Sequence, residues 1–524
     1  MTNLDRAAEG SGDGAQTLNL SLISHTNVGK TTLVRTLLGR DVGEVRDAAH
    51  VTDVATGYLM LQAGDDSLML WDTPGLGDTV RLLRRLRQSG NPIGWFLAQV
   101  WDRFRDRPLW SSQQAVRNAR DEADVILYLV NAGEDPDDAG YVGPELEILA
   151  WIGKPVLLLL NQVGPPREGN RLDEERWEAA LREGPGGEVV RGALTLDAFA
   201  RCWVQEGALL RTVETVVAPE QRALMRRLAE AWAEKNLQRY GKAVRLLAEH
   251  LATAATDREP VGERDWRDKA RGALLSLRDE QPPEARRAMA ELAERLQADV
   301  RGSTEALIRL HGLSGRAAKE VLRRLGRDYA ATAPAREGFA ALLGGVASGA
   351  AGGLAADLAA GGLTLGGGMI VGGILGAIGA GTAARGYNVM QGEAGESVRW
   401  GEDFFLGLVR SALLRYLAVA HFGRGRGEWE EGEHPPHWQT AVAAAVEGER
   451  DGLRRCWERG RAEPRDALVD PLEAIVRRCA GRILGEFYPE AVEALRPKRG
   501  GAPAAEVEDG AGNGDRTRIT SLEG

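Results

Sequence analysis

At 524 residues the chain is long enough for about two to four domains with cores of their own. Its formal net charge of -10 gives the whole molecule no general attraction for nucleic acid, although local basic patches are compatible with it. Three cysteines, Cys202, Cys456 and Cys479, stand far apart without paired spacing, which argues against a zinc site or a disulfide scaffold and for a reducing compartment.

Residues 1–16 and 499–524 carry almost no large apolar side chains and read as disordered tails. The first tail has no apolar core, so it is no secretory signal, and a cytoplasmic protein is expected. Between 17 and 215, apolar runs alternate with helical stretches. Strands are expected at 18–23, 56–62, 67–71, 125–130 and 156–161, with a weaker one at 188–194. That alternation predicts an α/β domain with a mostly parallel sheet.

The stretch 18–37, LNLSLISHTNVGKTTLVRTL, has the order strand, polar loop and helix that a phosphate-binding P-loop requires. Backbone N–H groups at the start of such a helix point at phosphates, where the helix dipole favours negative charge. Ser24, Asn27, Val28, Gly29, Lys30, Thr31 and Thr32 would line the nucleotide. Lys30 would reach the β- and γ-phosphates, and Thr31 would ligate Mg²⁺. The first glycine of the usual pattern is Ser24 here, a residue that turns less freely but offers a hydroxyl.

Other parts of a guanine-nucleotide switch follow in order. Thr52 lies in a polar loop where it would close on Mg²⁺ and the γ-phosphate. Asp72 ends an apolar run and opens Asp72-Thr73-Pro74-Gly75, which places a carboxylate for Mg²⁺ and a Gly75 N–H for the γ-phosphate. Lys30, Thr52 and Gly75 are therefore the expected catalytic groups, and Thr31, Thr52 and Asp72 the expected Mg²⁺ set.

After Asp72 the chain is longer than a switch helix needs. A helical insert is expected over about 79–112, with Trp95, Phe96, Trp101, Phe104 and Trp110 interleaved with arginine. It reads either as an interfacial or partner-docking element that follows the nucleotide state, or as a helix packing its aromatics onto the protein's own helical domain. Stacking on single-stranded RNA is a third reading.

From 216 to 335 the texture changes to long charged helices, with Leu224, Leu228 and Trp232 at four-residue spacing and Val244, Leu247 and Leu251 continuing the stripe. Residues 336–386 form a Gly-rich apolar segment. Within 338–384 the only charge is Asp357, and sixteen of forty-seven residues are glycine. Asp357 divides it into arms of nineteen and twenty-seven residues, each long enough to span a bilayer core. Small residues recur at four-residue spacing in both arms, as in a glycine zipper. A membrane hairpin and a hairpin buried in a soluble fold are the two readings. Residues 387–498 continue the helical domain, with amphipathic helix expected from 394.

Through SHTNVGKTT, Thr52 and WDTPGLGD, residues 17–215 resemble the Era/TrmE-like branch of the translation-factor-class GTPases. The whole chain is similar to bacterial GTPases bearing a C-terminal domain of unknown function, family 3482. The resemblance implies GTP/GDP and Mg²⁺ as cofactors. It also implies that Leu76, where Ras-like GTPases place a water-orienting Gln, slows intrinsic hydrolysis. In potassium-activated relatives an Asn at the position of Asn27 helps to hold K⁺; the alternative is that Asn27 only stabilises the turn. A homodimer contact across the switches would accompany the potassium reading. Asn161 and Gln162 match the start of the base-reading motif, but Gly164 stands where its carboxylate would exclude adenine, so guanine specificity is open.

The expected function is a Mg²⁺-dependent GTP switch coupled through the helical domain to membrane association or remodelling at the cytoplasmic membrane. The alternatives are a soluble Era-like GTPase in ribosome or RNA assembly, and a nucleotide-binding scaffold with little turnover. No KH-type loop or basic C-terminal domain supports a nucleic-acid partner.

Overall fold

Apolar runs bounded by polar turns build one six-stranded sheet, in the order β2-β3-β1-β4-β5-β6. Its strands are β1 (Thr17–Ser24), β2 (Thr56–Ala63), β3 (Asp66–Asp72), β4 (Val125–Asn131), β5 (Val156–Asn161) and β6 (Val190–Thr195). All neighbours pair in parallel except β2, which runs antiparallel to β3. β4 and β5 lie inside the sheet and are buried almost throughout, as parallel strands covered on both faces must be. The weaker run at 188 begins as a 3-10 turn, Gly187–Val189, and becomes β6 only from Val190.

This computed structural model describes residues 15–26, 28–39, 55–88, 90, 92–98, 106–136, 138–161, 170–196, 203–260, 283–313, 387–392, 395–421, 436–488 and 490–495. Asn27, Thr52, Trp101, Phe104, Gln162, Gly164 and the Gly-rich segment 338–384 lie outside them. The chain divides into two compact units. One comprises Met1–Gln238, His421–Trp429 and Phe487–Gly524, and the other Arg239–Ala420 and Glu430–Glu486.

In the first unit the helices are α1 (Lys30–Leu38), α2 (Thr79–Leu86), α3 (Pro92–Ala98), α4 (Arg107–Asp121), α5 (Val142–Ile152), α6 (Asn170–Glu183) and α7 (Trp203–Val216). One face of the sheet packs on α1, α7 and the start of α8 (Arg222–Thr256), where Leu224, Leu228 and Trp232 are buried. The stripe read from the sequence is thus core. The other face packs on α2 to α6. Among the described residues the insert is helical in α2, α3 and the start of α4, and α2 and α3 both lie against α5. Phe96 is fully buried there and Trp95 packs beside it, so these aromatics cover the domain itself. Gln113 of α4 donates to the Phe96 carbonyl at 2.8 Å and locks α3 in place.

The second unit is largely helical. It holds the rest of α8, then α9 (Pro283–Leu310), α10 (Glu402–Ala420), α11 (Pro436–Gly448), α12 (Arg450–Arg459) and most of α13 (Arg465–Phe487). A small antiparallel sheet joins them, β7 (Arg258–Pro260), β8 (Tyr387–Gly392) and β9 (Gly395–Trp400), with β9 in the middle. Helix was expected from 394. Val398 and Trp400 instead alternate along a strand, and helix begins only at Glu402.

Polar groups tie three of these helices together. Arg415 of α10 is fully buried and donates to the Val300 carbonyl, Ser303 Oγ and Thr304 Oγ1 of α9 at 2.9–3.0 Å. His250 of α8, also buried, meets Asp299 of α9 through Nδ1. Among the described residues no helix is long and apolar enough to cross a membrane.

Candidate nucleotide site

β1 ends at Ser24 and α1 starts at Lys30, so the loop between them is held at the C-terminal edge of the sheet, where ligands bind in open α/β folds. Gly29 caps α1 with φ 96°, a left-handed conformation. A Cβ there would also meet Asn161 Nδ2 at 3.0 Å. Ser24 has no such demand, because it closes a regular strand. Its hydroxyl donates to the His25 carbonyl at 2.5 Å and accepts from Lys30 Nζ at 3.2 Å. The departure from glycine is therefore accommodated, and its hydroxyl faces the lysine.

Lys30 is almost fully buried. Burial pushes its ammonium below the ordinary lysine value, while the charges of Asp72 and Glu145 oppose that shift. Asp72 lies at the end of β3 and its Oδ2 accepts from Thr31 Oγ1 at 2.8 Å. This buried carboxylate and helix-terminal hydroxyl are hard oxygen donors of the kind Mg²⁺ takes together with phosphate oxygens. The set fits Mg²⁺: Thr31 would bind it and Asp72 would orient its waters. Bound there, the ion would neutralise charge on the phosphates.

The segment after Asp72 is fastened to the P-loop. Thr73 Oγ1 donates to the Leu22 carbonyl at 2.7 Å, and the Leu76 N–H to the Ser24 carbonyl at 2.9 Å. A side chain on Gly75 would meet Thr26 Cα at 3.0 Å, so close approach of the two loops requires glycine. Leu76 is fully buried in the core below. It cannot reach a water, which agrees with the absence of a Gln-like group. The Gly77 N–H donates to Ser112 Oγ of α4 at 3.0 Å, joining the insert to this loop.

Asn161 ends β5, is fully buried, and donates through Nδ2 to the Val28 carbonyl at 2.9 Å. Its amide thus braces the P-loop. The structure brings together Ser24, Val28, Gly29, Lys30, Thr31, Thr32, Asp72, Gly75 and Asn161 at one edge of the sheet.

Sequence reasoning missed the group beneath the loop. Glu145 of α5 is fully buried, with His25 Nδ1 at 2.6 Å from Oε1 and the Tyr128 hydroxyl donating to Oε2 at 2.8 Å. The His25 ring stacks on Tyr141 at 4.6 Å. Burial raises the Glu145 carboxyl above its ordinary value, against the bonds from His25 and Tyr128 and the charge of Lys30. The signal was there: Val142, Glu145, Leu146 and Leu149 share one helical face, so the acid sits in an apolar stripe.

Strand order, a left-handed glycine before a buried lysine, and a hydroxyl–carboxylate pair at the helix start together define a P-loop nucleotide-binding domain. Residues 19–162 match the family model described as a 50S ribosome-binding GTPase. The chain belongs to the family defined by a domain of unknown function, DUF3482, whose model matches residues 191–476. It is 29% identical over 169 residues to the GTPase Der of Trichormus variabilis, covering 31% of this chain and 30% of that protein. It is also 29% identical over 244 residues to the tRNA modification GTPase MnmE of Laribacter hongkongensis, covering 45% of each. The chain thus spans less than half the length of these curated relatives. Among solved structures, Aquifex aeolicus Era bound to GDP and AlF4- superposes with a TM-score of 0.28 at 18% identity, over 38% of this chain and 57% of that one.

Proposed function

We propose that the chain is a Mg²⁺-dependent GTP switch with slow intrinsic turnover, whose output is carried by the helical unit. The observation that carries this is the buried Lys30 beside Asp72 and Thr31 at the start of α1. Lys30 would take the β- and γ-phosphates in exchange for Ser24, and the Gly75 N–H would meet the γ-phosphate. Because Gly75 and Leu76 rest on the P-loop and Gly77 on Ser112, a shift of this loop on hydrolysis reaches α4. Leu76 supplies no water-positioning group, so a second element completes the site. K⁺ at Asn27, with a dimer contact across the switches, is our proposal for it.

The test is phosphate release from GTP and from ATP, in KCl and in NaCl, with Lys30→Ala as the background. Release from GTP that needs Lys30 and runs faster in KCl is the expected result. Equal rates in the two salts remove the potassium step, and the absence of Lys30-dependent release removes hydrolysis.

Membrane coupling through residues 338–384 remains our proposal for the output, supported by the two apolar arms in the sequence. Flotation of the full chain with liposomes tests it, and loss of flotation on deleting 338–384 is the expected outcome. The description of the matched GTPase family favours a second reading, binding to the large ribosomal subunit, which co-sedimentation with 50S particles would detect.

A further inference from the structure

Arg399 presents an anomaly in the second unit. It lies on the central strand β9, is 4% exposed, and pairs directly across from Arg258 of β7. Like charges in directly opposed antiparallel positions repel. A third guanidinium, that of Arg461, lies 5.1 Å from the centre of the Trp457 ring, and that of Arg399 lies 4.3 Å from the same ring. Arg258 Nη1 donates to the Arg461 carbonyl at 3.5 Å, and the charges of Arg258 and Arg461 both act on Arg399.

No carboxylate among the described residues compensates this cluster. The neighbouring acids are engaged elsewhere: Asp257 and Glu259 both bind Arg295, and Glu463 binds Arg459. Arg399 Nη2 donates to the Trp457 carbonyl at 2.7 Å, yet its Nη1 is buried without a hydrogen-bond partner. Burial, then the charges of Arg461 and Arg258, push the Arg399 guanidinium down to about 10. A buried cation left unpaired is strongly unfavourable, and an unmet guanidinium N–H adds to that. Arginine also does not escape by losing its proton under ordinary conditions. Groups held at such a disadvantage without a ligand are stabilised when an anion arrives. A tetrahedral oxyanion suits them, because several guanidinium forks can share its oxygens.

We propose that Arg258, Arg399 and Arg461 form a binding site for a phosphate-type oxyanion in the helical unit, with Trp457 as its wall. The site is independent of the nucleotide reading, because none of its residues belongs to the GTPase unit. Its ligand would be either a free phosphate ion or the phosphate of an acidic lipid headgroup.

The experiment measures the thermal midpoint of the helical unit's transition in the full chain with inorganic phosphate against chloride at equal ionic strength, with Mg²⁺ and GDP saturating the P-loop. Arg258 and Arg461 are exposed, so the double variant R258A/R461A should fold. The expected result is a saturating rise of about 3 °C at ten times the Kd in the wild type. The rise should persist in Lys30→Ala and vanish in R258A/R461A. An equal rise in wild type and double variant, or none in either, overturns the site. A second arm distinguishes the sources. Sedimentation with phosphatidic acid vesicles that is lost in the double variant, beside a retained phosphate effect, assigns the site to headgroups. A phosphate effect without vesicle binding assigns it to the free ion.

Discussion

Glu145 and Lys30 are opposite charges buried near the same loop, and each charge partly offsets the cost of burying the other. Burial raises the Glu145 carboxyl, so its folded value stands above the unfolded one of about 4.3. Stability from this group is therefore complete below that pH and falls as pH rises through the folded value. Glu145→Gln keeps a hydrogen-bonding side chain and removes the titration, so its stability relative to wild type should improve as pH rises. Glu145→Ala strips the buried Tyr128 hydroxyl of its acceptor and should cost about 2 kcal/mol. Urea unfolding at several pH values checks both, and parallel pH profiles for Gln and wild type would sink the first. At this scale the sequence was legible wherever a motif fixed the residue: Lys30, Thr31, Asp72 and Gly75 come together as their spacing implied. Asn161 comes to the same edge of the sheet, where its Nδ2 donates to the Val28 carbonyl, a brace that no local pattern in the sequence reveals.

Helices α8, α9 and α10 are joined by polar groups where apolar packing would have been simpler. His250 faces Asp299 from α9 and the charge of Arg415 from α10, and burial is the largest influence on it. All but the Asp299 contributions lower its folded value below the unfolded one of about 6.5. Its contribution to stability is thus present above that pH and lost as pH falls, because the unfolded chain takes up the proton first. The helical unit should therefore lose stability as pH drops below about 6.5. His250→Gln should flatten that slope, as followed by the urea midpoint of the helical unit between neutral and mildly acidic pH. An unchanged slope would mean that another group governs it. Elements with a full apolar period, such as β4, β5 and α8, could be read directly. Three-residue β7 has too few residues to show a period, and β9 was hidden because its aromatic end merges with the helix that follows. The insert was legible as helix, but whether its aromatics faced outward depended on α5, which no local pattern reveals.

The whole molecule is two units with a boundary inside one helix, between Gln238 and Arg239 of α8. A change of texture marked the transition near 216, earlier than the structural division. The first turns of that helix bury Leu224, Leu228 and Trp232 against the GTPase sheet, while charge on the outer face makes the whole helix look uniform in sequence. Each unit has a core of its own, and such units unfold as separate cooperative bodies unless a large apolar interface joins them. Scanning calorimetry of the full chain should accordingly show two transitions. Mg²⁺ and GDP bind only the folded first unit, so at a hundred times the Kd they should stabilise it by about 2.7 kcal/mol and leave the other transition in place. Removing Mg²⁺ with a chelator should shrink that shift if Thr31 and Asp72, which lie 2.8 Å apart, hold the ion as proposed, because the Asp72 carboxylate would then repel the phosphates. Lys30→Ala should weaken binding at least about tenfold, which at the same nucleotide concentration removes about half of the shift or more. A single transition that moves as one with nucleotide would instead mean that α8 carries the stability of the P-loop into the helical unit. In a switch, that coupling would be the mechanism by which GTP is felt beyond its own domain.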